Sequence, residues 1–189
     1  MLYSFNKLLS GITVLFVLSA SSGNAFADET VNSKYFNVVI HDGVSKADLL
    51  NKLRADYFLR MGPAFSVGGT EGAGIDKLLS QTLDAIYLEV SDILDIHMYS
   101  FSIKLDVFPD KSALSAELQK YLGKRIDVPS FYFHDKNKIY IADSDLTLGM
   151  LGHETAHAII CHYFVVQPSP KVQEILSGYV EYSLRKIAK

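Results

Sequence analysis

Cysteine is almost absent from this chain: Cys161 is the only one in 189 residues. No internal disulfide is possible, so the fold must rest on an ordinary apolar core. No cysteine follows the N-terminal apolar run either, which excludes a lipoprotein anchor. A strong excess of charge is also missing. The formal net charge is −3 and there is no basic run, the footprint expected for nucleic acid or an anionic membrane. Beyond the N-terminus, no apolar stretch is long enough to cross a bilayer. Glycine is concentrated in Val67–Gly74, but that segment lacks the Gly-Lys-Ser/Thr ending of a phosphate-binding loop and does not match the dinucleotide fingerprint. It reads as a flexible loop. No internal repeat and no long linker divides the chain.

What is present starts with a targeting signal. Lys7, the apolar run Leu8–Leu18 and the small-x-small triplet Ala25-Phe26-Ala27 read as a secretory signal peptide, residues 1–27, cut after Ala27. Residues 28–189 are then a single domain, exported to the periplasm or secreted.

Within that domain strands and helices mix. Tyr35–His41 reads as a strand turned by Asp42-Gly43. Ser45 is placed to cap a helix, with Asp48 three residues on and Gly62-Pro63 as its stop. Apolar residues at helical spacing predict a long helix over Ile75–Ile96. Apolar and polar residues alternate from Tyr99 to Val107, the pattern of a half-buried strand. Asp110 caps a helix to about Leu122. Phe131–His134 and Ile139–Ala142 flank a polar turn and read as a hairpin. Asp143 and Asp145 are expected to open the next helix, where acidic side chains suit the dipole. Ser169-Pro170 begins the last one. The fold class expected is α+β: a small mixed sheet, helices, and a closing helical pair.

The chemistry lies in His153-Glu154-Thr155-Ala156-His157, an HExxH pentad in an apolar helical stretch. Four residues advance an α-helix by about 400°, so both histidines share one face. Two imidazoles so placed can hold one zinc ion, and Glu154 is positioned to act as a general base on water. Catalytic zinc usually takes a third protein ligand. Cys161 follows on the same face, but three ligands spaced by four residues span about 12 Å, too far for one ion. It reads as a small buried core residue. His162 faces elsewhere. The extended pattern HExxHxxGxxH fails, because Ile160 and Tyr163 stand where it needs glycine and histidine. The remaining donors are Glu174 and Glu181. If the two last helices pack antiparallel, Glu174 lies level with His157 and Glu181 nearer His153, and rise alone does not choose between them.

The pentad followed by Val172-Gln173-Glu174-Ile175-Leu176-Ser177-Gly178-Tyr179-Val180-Glu181-Tyr182 resembles the gluzincin class of zinc peptidases, the peptidase MA-like families and the aminopeptidase N-type active site. The resemblance covers Asp143–Tyr182. It implies a zincin-like fold in which the pentad helix and a C-terminal helix supply the metal site. It implies Glu174 as the third zinc ligand and Tyr179 as a catalytic tyrosine, with Tyr163, His162 and Tyr182 as nearby alternatives. It also implies an edge strand along the cleft, for which Lys138–Ala142 is the candidate. The chain departs from the pattern at Ile175, where the family has glycine, at Gly178, and in the shorter segment between His157 and Glu174.

The function expected is a zinc-dependent peptidase acting through zinc-activated water, with Glu154 as base. Its substrate would be a peptide or protein of the cell envelope or the exterior. A zinc-dependent amidase-like hydrolase and a catalytically silent peptide-binding module are the competing readings.

Overall fold

The computed structural model describes residues 28–54 and 71–187. The signal-peptide segment, Phe58 and Gly62-Pro63 lie outside the described residues.

Five strands form one mixed sheet: β1 (Glu29–Asn32), β2 (Phe36–Ile40), β3 (Ile103–Phe108), β4 (Ser130–Phe133) and β5 (Lys138–Ala142). Their order is β1-β2-β3-β5-β4. The central pairs β2–β3 and β3–β5 are parallel, and the outer pairs β1–β2 and β4–β5 are antiparallel. Five α-helices accompany the sheet among the described residues: α1 (Lys46–Lys52), α2 (Glu71–Leu94), α3 (Lys111–Leu122), α4 (Leu148–Tyr163) and α5 (Pro170–Ile187). The α+β class is therefore observed.

The period of two along each strand sorts side chains between the faces. Val38, Ile40, Leu105, Val107, Ile139 and Ile141 face α1, α2, α4 and α5 in the main core. Phe108, Tyr140 and Ala142 face α3, whose Leu114 and Leu118 close a smaller core. Parallel strands with helices on both sides are buried on both faces. That is why Asp106, in β3, is buried, held by the Lys138 ammonium at 2.8 Å.

The local punctuation mostly acts where the sequence puts it. The Ser45 hydroxyl accepts from the Asp48 amide at 3.3 Å, and Asp110 accepts from the Ala113 amide at 2.9 Å. Gly123 ends α3 with φ of 70°, in the left-handed region that glycine tolerates. The Ser169 carbonyl accepts from Gln173 at 3.0 Å in the first turn of α5.

Several expectations are corrected. Helix α1 stops at Lys52, with Arg54 left-handed at φ 54°. The end of the glycine-rich segment, Glu71–Gly74, is the first turn of α2 rather than loop. The strand predicted from Tyr99 begins only at Ile103: Tyr99 is exposed, and Phe101 is buried without strand pairing. Strand β1 went unforeseen, because only Val31 of its four residues is buried. Asp143–Asp145 form a separate 3-10 turn, and Thr147 caps α4 by accepting from the Met150 amide at 3.2 Å. The two aspartates instead pair with Lys52 and Lys111, at 2.7 and 2.9 Å. Finally, β5 is an interior strand, and the sheet ends on β4.

The pairing of α4 with α5 positions everything that follows. Gly149 and Gly152 face α5, and a Cβ built on Gly152 would lie 2.0 Å from the Leu184 side chain. Absence of a side chain there lets the two helices approach closely, so Val180 and Leu184 are fully buried.

Candidate metal centre

Helix α4 is buried along most of its length, including Leu148, Leu151, Ala156, Ala158, Ile159 and Ile160. This anchorage holds His153 and His157 one turn apart at the wall of a cleft of about 330 Å³. Their rings lie 4.9 Å apart in an edge-to-face arrangement, and the two Nε2 atoms are separated by 3.1 Å. From α5, Glu174 completes a triangle. Its Oε1 lies 3.5 Å from His157 Nε2 and its Oε2 lies 3.6 Å from His153 Nε2. The three side chains are the group among the described residues placed to hold one ion, with one ligand atom each within 4.8 Å of the others.

Those separations test the fit of a metal. Tetrahedral zinc with bonds of about 2.0–2.1 Å needs ligand atoms roughly 3.3 Å apart. The two Nε2 atoms, 3.1 Å apart, are close to that value. The Glu174 carboxylate reaches His157 with one oxygen at 3.5 Å and His153 with the other at 3.6 Å, and one ligand atom from each of the three lies within 4.8 Å of the others. Two imidazoles and one carboxylate are also a donor set zinc accepts. Burial, then the neighbouring His153, holds the His157 imidazole below its ordinary pKa and so favours the neutral form that binds metal.

Glu181 does something different from what the rise along α5 offered it. Its Oε2 lies 3.2 Å from Nδ1 of His153, on the far side of the ring from Glu174. Its other oxygen accepts from the Arg185 guanidinium. A carboxylate on the outer nitrogen fixes the tautomer and orientation of a ligand histidine.

Glu154 is 7% exposed and faces β4. The Ser130 hydroxyl donates to its Oε1 at 2.6 Å, and the Tyr132 amide also donates to it. Ala142 donates to the Pro129 carbonyl at 2.8 Å, and alternation along an antiparallel ladder then turns the Tyr132 amide to the outer edge of β4. Burial pushes the Glu154 carboxyl above its ordinary pKa, against the opposing pull of the Ser130 bond, His153 and the Tyr132 amide.

The other candidates sit apart from the trio. Cys161 is half-buried on the cleft wall rather than in the core, its thiol donating to Gln173 Oε1 at 3.3 Å. Tyr179 is 58% exposed and does not line the cleft. Tyr163 and Tyr182 are exposed, and His162 stacks on Phe101 at 4.1 Å. Sequence reasoning missed Ser130, the Tyr132 amide and His134, which also lines the cleft. Nothing local in the sequence marks them, because β4 meets α4 only through the tertiary fold. Glu181 did carry a signal, its position along α5 level with His153.

The chain matches no protein-family profile, no curated protein and no solved structure. No helix among the described residues is long and apolar enough to cross a membrane.

Proposed function

We propose that this protein is an exported zinc-dependent peptidase of zincin-like fold. The observation that carries the reading is the convergence of His153, His157 and Glu174 on one point beside the buried Glu154 carboxylate. His153, His157 and Glu174 would hold the zinc, which when bound supplies a Lewis acid and lowers the pKa of water. Glu181 keeps His153 presenting Nε2 to the site. Glu154, held by Ser130 and the Tyr132 amide, accepts the proton of the attacking water and passes it to the leaving nitrogen. Its raised pKa suits a group that must take up and release a proton.

The stabilising donor that the resemblance assigns to Tyr179 is reassigned. Ser130, Tyr132 and Cys161 spend their side-chain hydrogens on Glu154, Asn137 and Gln173. His134, at the end of β4, lines the cleft and makes no side-chain hydrogen bond among the described residues. The strand beside which an extended substrate lies is likewise β4, the open edge, in place of Lys138–Ala142.

The test is zinc content and peptide turnover measured together on the parent and on Glu154→Gln. The reading requires stoichiometric zinc in both and turnover only in the parent. Equal turnover, or a parent that takes up no zinc, would overturn it.

A further inference from the structure

Helix α5 carries a second apolar face that is left exposed among the described residues. At 100° per residue, Val172, Ile175, Tyr179 and Tyr182 fall within an arc of about 80°. They are 44, 62, 58 and 56% exposed. Val180 and Leu184, on the opposite side, are fully buried, so the helix already has its core-facing stripe. At the head of the same helix, the turn from α4 presents Val165 and Val166, 101 and 84% exposed. Two aliphatic side chains projecting at a turn beside an apolar helix face are far from the scattered single residues normal on a surface.

The balance of charge around this face is positive. Residues 163–187 carry three basic and two acidic side chains, net +1, whereas the whole chain carries −3. Both acidic residues, Glu174 and Glu181, turn towards the histidines. Lys171 and Lys186 remain exposed, and the Lys186 ammonium lies 4.4 Å from the Tyr182 ring centroid. No basic run betrays this in the sequence, because helical spacing assembles the face from separated positions.

We propose that this face docks the protein peripherally on an anionic lipid bilayer, with Val165 and Val166 entering the apolar boundary and helix α5 lying in the interface. Tyrosine rings flanked by lysines suit the headgroup level, and aliphatic tips suit the layer below. Two copies of the chain are a poorer match. An antiparallel pairing of the stripe sets Lys171 against Lys186, and a parallel pairing sets each lysine against itself. The proposal rests on the surface alone and stands whether or not the metal reading holds. It would bring the cleft, lined by Gln173 and Glu174 of the same helix, close to the membrane surface.

The absence of tryptophan supplies the test. Val166→Trp in the full chain places a single indole on the exposed tip. The probe is vesicles of equal parts phosphatidylglycerol and phosphatidylcholine. The N-terminal apolar run is a second source of vesicle binding, so the reporter must sit on the face itself. The expected result is a blue-shifted emission on vesicles, quenched by brominated lipid. Lys171→Glu with Lys186→Glu should weaken partitioning by about 25-fold or more, roughly fivefold for each lysine lost. Val165→Asp with Val166→Asp should weaken it further, with an unchanged circular dichroism spectrum. A water-exposed indole on protein that pellets with vesicles would overturn the proposal, as would failure to pellet. A sedimentation-equilibrium mass of two chains, lost in Tyr179→Asp and accompanied by no vesicle binding, would assign the face to a second copy instead.

Discussion

The Nδ1 atom of His153 lies 3.2 Å from the Glu181 carboxylate, while its Nε2 faces His157 and Glu174. One ring is thus held from both sides by the same helix, α5. If the centre holds zinc, Glu181→Gln lowers zinc affinity by about 10–100-fold, the usual cost of losing a partner that orients a ligand. Glu174→Ala lowers it further, because it removes a donor. Competition against a chelator of known affinity measures both. Equal losses would mean that Glu181 is itself a ligand.

Glu154→Gln separates chemistry from stability. If the proposed function holds, turnover disappears and zinc remains. The metal-free protein becomes more stable, because a buried carboxylate with a raised pKa is disfavoured in its charged form. The sign follows from linkage: between the ordinary carboxylate pKa and the raised one, the folded state binds more protons than the unfolded state. Stability therefore falls as pH rises through that window, and glutamine removes the loss. Thermal unfolding in chelator at pH 7.5 and pH 4 checks this. The variant's advantage should be present at the higher pH and shrink at the lower.

His157 acts in the opposite sense. Its pKa is depressed by burial and by His153, so below about 6.5 the unfolded state binds more protons than the folded state. Its contribution is fully present above that pH and is lost on acidification. In a Glu154→Gln background, the metal-free denaturation midpoint should fall as pH drops from 7 to 5. His157→Gln should flatten that slope. If the centre holds zinc, protons compete with it for the same nitrogens, and zinc occupancy and any turnover of the parent should fall below about pH 6.

Gly152→Val tests the close approach of α4 and α5. A Cβ there would meet Leu184 at 2.0 Å, so the helices must part or Leu184 must repack. The expected cost is about 1–3 kcal/mol in denaturant unfolding, the usual range for overpacking. Zinc affinity should fall with it, since Glu174 and Glu181 both ride on α5. A stability loss with unchanged affinity would show that the helix shifts without carrying its carboxylates away.

The elements differ in how far they were legible, and the differences have physical causes. Helices α3 and α5 announce themselves through Asp110, Ser169 and Pro170, because caps and breakers act over three or four residues. Strand β1 and the role of β5 do not. A four-residue strand with one buried side chain has no period to detect, and which strand lies at an edge depends on pairing order. Asp143 and Asp145 look like dipole-favoured starters of α4, yet Lys52 and Lys111 from other elements claim them.

The sequence by itself determined that His153, Glu154 and His157 share one turn of a buried helix, because helical pitch and local apolarity are encoded within a dozen residues. It also placed two glutamates on a following helix at matching heights. Only the tertiary structure decided their separate positions, Glu174 against both Nε2 atoms and Glu181 behind His153, since that depends on the rotation and closeness of α5 at Gly149 and Gly152. It alone brought Ser130 and the Tyr132 amide from β4 onto Glu154 and left Tyr179 facing outward. Contacts between elements distant in sequence are set by how whole faces pack, and no short stretch of residues carries that information.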